Sequence, residues 1–103
     1  MGSEEKECTI VVEAQDVVFV LYEVINFFDD KGPKNDVLKK INLIDGQAKR
    51  KFRKKASHAL AIVGTGREGA VVKITIPEIN FLAKPKVDSE RRLSDMLAFN
   101  VIF

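Results

Sequence analysis

Over residues 7–14, ECTIVVEA, apolar and polar side chains alternate, with Ile10 and Val12 on one face and Thr9, Val11 and Glu13 on the other. This β-branched alternation predicts a strand. Beyond Gln15-Asp16 the pattern changes. Val17, Val18, Leu21, Val24, Ile25 and Phe28 recur at helical spacing, Asp16 stands as an N-cap and Gly32-Pro33 as a stop signal, which together predict a helix over 16–30. A strand over 17–22 competes, because Val is a poor helix former; the twelve-residue length of the pattern favours the helix.

A second, short helix is expected over 36–44, capped by Asn35 or Asp36, with Val37, Leu38, Ile41 and Ile44 as its buried stripe and Asp45-Gly46 breaking it. The stretch 46–64, GQAKRKFRKKASHALAIVG, follows at once. Read as a helix throughout, it gathers Ala48, Phe52, Ala56, Ala59 and Val63 into a narrow sector, so that Phe52 faces a core, and the basic helix is expected over 46–57. Lys49, Arg50, Lys51, Arg53, Lys54 and Lys55 spread around the remainder. Residues 57–63 fit either an extension of that helix or a strand; a strand is favoured by what comes next. AVVKITIP (70–77) is the clearest strand of the chain, and GTGREG between the two would close a hairpin of 58–64 with 70–77. Pro77, which lacks an N–H, marks the strand's end or an edge.

Residues 83–87 and 1–6 read as irregular. Asp88 or Ser89 caps an expected last helix carrying Leu93, Met96 and Leu97 on one face. The uncharged stretch 98–103, AFNVIF, is expected to dock, either as a strand on its own sheet, beside 7–14 for example, or against a second subunit. With 103 residues and no internal repeat, a single domain over 1–103 is expected.

Charge sharpens this picture. Six of the 17 Lys and Arg residues crowd into positions 49–55. Residues 1–45 hold 5 basic against 10 acidic side chains, residues 46–73 hold 8 against 1, and residues 74–103 hold 4 against 4. A net charge of +2 therefore hides a strong dipole. Six cations with no acidic neighbour at helical spacing inside the run repel one another; the ordinary counterpart is a solvated face, the sharper one a surface kept for a polyanion. Cys8 is the only cysteine, which excludes an internal disulfide and points to a reducing compartment. No apolar run is long enough to span a bilayer, and the polar, acidic start is unlike a signal peptide, so a cytoplasmic location is expected, with no membrane partner.

Few chemistries are supported. Gly64-Thr65-Gly66-Arg67-Glu68-Gly69 fits G-x-G-x-x-G and, with the Ala70-Val71-Val72-Lys73 that follows, looks like a protein-kinase glycine-rich loop. A dinucleotide site needs a helix after the last glycine, and neither H-R-D nor D-F-G occurs, so a hairpin loop whose glycines take positive φ is the simpler account. His58 has no second ligand at zinc spacing, and its neighbour Ser57 does not by adjacency make a catalytic pair. Asp29, Asp30 and Asp36 lack calcium-loop spacing. No enzyme activity, catalytic residue, metal or cofactor is expected.

In order, helix, short helix, tight turn, basic helix and hairpin resemble the general plan of winged-helix DNA-binding domains. The expected fold class is α+β, a winged-helix-like three-helix core with a β-hairpin, plus an N-terminal strand and a C-terminal helix or strand. That resemblance implies a helix-turn-helix whose basic helix enters the major groove through Lys49, Arg50, Arg53 and Lys54, with Lys51 and Lys55 beside them and Arg67 as the wing contact. The expected function is duplex nucleic-acid binding by a small regulator. The alternative is a protein-interaction module, an inhibitor or adaptor, whose basic helix meets an acidic partner and whose apolar C-terminus forms a homodimer.

Overall fold

A computed structural model describes residues 4–25, 28, 29, 32, 33 and 37–102. It is built of strands: β1 (Glu5–Ala14), β2 (Val17–Ile25), the two-residue β3 (Phe28–Asp29) and β4 (Gly32–Pro33), β5 (Val37–Ile41), β6 (Gln47–Arg53), β7 (Ala56–Gly66), β8 (Val72–Ile76), β9 (Phe81–Ala83) and β10 (Arg92–Val101). One 3₁₀ turn, Pro77–Ile79, interrupts them. Two four-stranded sheets, ordered β6-β1-β8-β9 and β10-β7-β2-β5, carry the fold, and every neighbouring pair in them is antiparallel. Their facing sides share one core: Cys8, Ile10 and Val12 of β1, Phe52 of β6 and Ile74 of β8 from the first sheet, Leu21, Leu60, Ile62, Leu97 and Phe99 from the second. The molecule is an antiparallel β-sandwich.

The expected winged-helix-like α+β fold is therefore wrong, and so are its helices. Residues 16–30 hold β2, where period two decides: Leu21 lies in the core while Val18, three residues away and on the same expected helix face, is 79% exposed. The short helix over 36–44 is replaced by β5, which pairs with β2. Asp45 and Gly46 both take positive φ, 54° and 76°, and Ile44 and Gln47 exchange backbone hydrogen bonds across them. That is the two-residue I′ reversal between strands, not a helix break. The basic helix over 46–57 is β6, then a turn in which Lys55 has φ 58°, then the start of β7. The last expected helix is β10, and the C-terminal stretch joins it beside β7 rather than beside β1. Two elements were legible directly: the strand over 7–14 lies within β1 with the faces expected of it, and 70–77 contains β8, ending at Pro77.

The reason for the failure is that chain neighbours here are not spatial neighbours. Consecutive strands repeatedly change sheet, β1 to β2, β5 to β6, β6 to β7, β7 to β8 and β9 to β10, so hydrogen-bond partners come from far along the chain and local propensity is overridden. The anticipated hairpin of 58–64 with 70–77 does not form for this reason: β7 and β8 lie in opposite sheets. Gly64 and Gly66 are strand residues of β7 rather than loop glycines. A Cβ on Gly64 would lie 2.4 Å from the Val18 carbonyl oxygen, and one on Gly66 2.4 Å from that of Asp16, so both glycines exist for the close approach of β2. Gly69 alone of that motif takes positive φ.

At one end of the core Phe52 is fully enclosed, its ring 5.2 Å from Phe99 in an edge-on arrangement and 5.0 Å from His58. Phe81 closes the cluster on the far side of Phe99. His58 Nε2–H donates to the Arg53 carbonyl at 2.9 Å, which fixes the ring as a structural member of this cluster. Because Phe52 joins the edge strand of one sheet to β7 and β10 of the other, Phe52→Ala should destabilise the fold by about 3–5 kcal/mol. Urea unfolding followed by far-UV circular dichroism measures this directly.

Candidate interaction surfaces

Strand periodicity divides the six clustered cations. In β6, Ala48, Arg50 and Phe52 turn inward, while Lys49, Lys51 and Arg53 turn to the outer face of the first sheet. There the register sets Lys51 opposite Glu7 and Arg53 opposite Glu5, and on the other side of β1 Glu13 stands opposite Lys73. Opposite charges directly across an antiparallel pair are stabilising. The acidic start of the chain and its basic middle are thus two strands of one ladder, in which two of the six clustered cations stand opposite glutamates. Lys54 Nζ lies 3.8 Å from Glu4 Oε2 in the same register. Lys55 spends its backbone N–H on the Val101 carbonyl.

Arg50 has a different job. Its Nε is buried 3.6 Å from Glu23 Oε1 of β2, beyond hydrogen-bond range, and its Nη2 donates to the Lys40 carbonyl of β5 at 3.3 Å. Arg50 therefore ties the edge strand of one sheet to two strands of the other. Beside it runs an open groove of about 360 Å³ lined by Asn42, Ile44, Gln47, Ala48, Lys49 and Arg50. Arg67 is elsewhere: it follows β7 while Lys54 and Lys55 precede it, so the eleven residues of that strand hold them about 35 Å apart. Its guanidinium sits 3.6 Å from Asp16 Oδ2. The structure does not bring Arg67 to the basic run, and no helix presents that run to a DNA groove. Asp30 and Asp36 lie outside the described residues, and no metal-ligating cluster occurs among the described ones.

Two further polar groups serve the fold. The ladder partner of Thr9 would be Pro77, which ends β8; Glu78 supplies the missing acceptor, its Oε1 taking the Thr9 N–H at 2.9 Å. Burial alone would raise the Glu78 carboxyl, but the Thr9 amide, helped by Lys6, holds it below its ordinary value. Cys8 is fully buried beneath it, and burial, with the Glu78 charge second, pushes its thiol up, away from a reactive thiolate.

The outer face of the second sheet is chemically unlike that of the first. By alternation and register, the outward positions form cross-strand rows: Arg92, Thr65, Val18; Ser94, Val63, Val20; Met96, Ala61, Tyr22, Lys40; Ala98, Ala59, Val24, Leu38; Asn100, Ser57. The middle rows are apolar and the end rows polar, the last closed by a 2.6 Å hydrogen bond from Ser57 Oγ to Asn100 Oδ1. No carboxylate stands in these rows. Val18, Met96, Leu38 and Val63 are each at least half exposed. Val24 and Ala61, in the middle of these rows, are already buried in the single chain at 8% each, although they stand outside the main core cluster. None of these residues stands out as a site from the sequence alone. Their signal is present there as unbroken apolar runs, VVFVLY in β2 and ALAIV in β7, which in a strand mean that both faces are apolar.

The sheet edges are blunted, while this face keeps Val18, Leu38, Val63 and Met96 exposed. On β10 the free-edge N–H groups of Arg92 and Met96 are taken by the carboxylates of Asp88 and Asp95, both at 2.9 Å. The opposite edges, β5 and β6, carry lysines and arginines, and β9 is only three residues long. Each of these devices discourages strand addition. No helix among the described residues is long and apolar enough to cross a membrane. In comparison with known proteins, the chain matches no protein-family model, no curated protein and no solved structure. The functional reading therefore stands on fold and surface chemistry.

Two expected outcomes test the polar assignments. Arg50→Gln should destabilise the protein by about 1–2 kcal/mol, since it strips Glu23 of its partner in a partly screened site. A double-mutant cycle with Glu23→Gln should recover part of that loss, and chemical unfolding of the four proteins gives the coupling. For Glu78 the folded-state value is depressed, so its contribution is fully present above the unfolded value and disappears as pH falls through the folded one. Stability measured from about pH 6 down to about pH 3 should fall more steeply in the parent than in Glu78→Gln.

Proposed function

We propose that the protein is a non-enzymatic β-sandwich that works by binding another protein through the outer face of the β10-β7-β2-β5 sheet. The observation that carries this reading is the asymmetry of the two outer faces, one laced with opposite charges, the other apolar in its centre and polar at its ends. An apolar centre with a polar rim is the anatomy of a protein–protein interface, and a contiguous exposed apolar patch on a folded domain marks an interaction site. Nothing comparable supports catalysis: His58 is engaged in the aromatic cluster, Cys8 is enclosed with its thiol pushed up, and the G-x-G-x-x-G stretch lets β2 approach β7. The lone, enclosed thiol fits a reducing, cytoplasmic setting.

The basic cluster does not compete for this role. Lys51 and Arg53 face glutamates across the ladder, Arg50 is turned inward, Lys54 lies by Glu4, Lys49 stands on the β6 edge opposite Thr9 and Lys55 sits in the turn before β7. Photo-crosslinking in the producing cell distinguishes the two faces. A benzoylphenylalanine at Val63 should yield protein adducts, and the same group at Lys51 should not. Adducts from position 51 with none from position 63 would overturn the assignment.

A further inference from the structure

We infer that the partner seated on this face is a second copy of the same chain, stacked sheet on sheet about a two-fold axis that runs parallel to the strands between β7 and β2. The inference rests on the reading of the face given above and adds the occupant. Three observations lead to it.

The first is that the face is divided into a small-residue half and a large-residue half. β7 and β10 contribute Ala59, Ala61 and Ala98; β2 and β5 contribute Val20, Tyr22, Val24 and Leu38. A two-fold axis along the strands keeps each row in place and exchanges the halves. Ala61 of one copy then lies over Tyr22 of the other, Ala59 over Val24, Ala98 over Leu38 and Val63 over Val20. The three alanines each meet a larger side chain, as an isologous, interdigitating contact needs, while Val63 with Val20 and Met96 with Lys40 pair side chains of similar size. An axis across the strands would instead set small on small and large on large.

The second observation is electrostatic. The cation within the apolar rows is Lys40, on the outer strand β5, and the same axis carries it over β10 of the other copy. There its stem covers Met96 and its ammonium reaches the strand edge that holds the exposed Asp95. The two Lys40 side chains end on opposite flanks of the contact, so like charges do not meet.

Area is the third. Three strands of nine to eleven residues and the five-residue β5, about 4.8 Å apart, overlap over about 400 Å² per copy, or about 800 Å² in all. That is below the size of a stable specific interface, so the dimer should be weak and in concentration-dependent exchange. Strand addition at the edges is the competing way for this fold to self-associate, and the capped N–H groups of β10 and the cations of β5 and β6 oppose it.

The chain offers its own reporter. It has no tryptophan and a single tyrosine, Tyr22, which stands in the middle row of the face. Sedimentation velocity of the full chain from about 1 µM to about 1 mM should show the mass rising from one chain to two. Acrylamide quenching of Tyr22 fluorescence should weaken over the same range. Val63→Lys and Met96→Lys, both at half-exposed positions, should keep the thermal midpoint measured at the lowest concentration and hold the mass at one chain, a loosening of at least about a hundredfold. Lys51→Glu, on the other sheet, should leave dimerisation unchanged. A rise in mass with Tyr22 still fully quenchable would place the contact elsewhere and overturn the inference. A single-chain mass across the whole range would also overturn it. In that event adducts from Val63 to other proteins keep the face as the working surface with a different occupant, while their absence removes both.

Discussion

The ladder between β1 and β6 is the constraint on which the rest of this structure depends. It joins residues 5–11 to residues 47–53 across some forty positions of chain and sets the acidic strand against the basic one. Like charges crowded on one segment are unfavourable while that segment is considered alone, and become acceptable once a strand of opposite sign lies about 4.8 Å away. Once β6 is held there, Phe52 and Arg50 are turned inward with no freedom to do otherwise. Phe52 then closes the aromatic end of the core, and Arg50 reaches across to Glu23 and the Lys40 carbonyl. One pairing thus anchors the first sheet, its neutral outer face and a polar tie between the sheets.

The two sheets divide their duties. The first presents alternating glutamates, lysines and arginines, a surface well solvated and poorly suited to burying a partner. In the second, alanine and valine recur on the outer face, giving a close-packed centre that water solvates badly. Edges are managed on both: charge on β5 and β6, side-chain caps on β10 and brevity on β9. A fold that closes its edges and leaves apolar side chains exposed on one face favours contact through that face over strand addition.

Much of the local detail is legible in the residues themselves. The strand over 7–14, the strand ending at Pro77, the burial of Phe52 and that of Cys8 all follow from residue types and spacing. The errors have local causes. In β2 apolar residues occupy both faces, and a run apolar on both sides contains every third and fourth position as well as every second, so it satisfies a helical template without being a helix. In 88–97 the Asx turn at Asp88 imitates a helix cap while ordering the entry to β10.

The amino-acid sequence by itself determined what each segment could tolerate: which side chains had to leave water, where the chain could reverse, as at Asp45-Gly46, and which classes of chemistry lacked their residues. Only the tertiary structure decided who stands opposite whom. Whether the basic run was an open surface or one half of a neutral ladder depended on where Glu5 and Glu7 lay, and whether Gly64 was a loop hinge or a contact depended on the approach of β2. Those answers reside in hydrogen bonds between residues tens of positions apart, and in a sandwich such pairings outweigh the local preferences that a window of sequence can display.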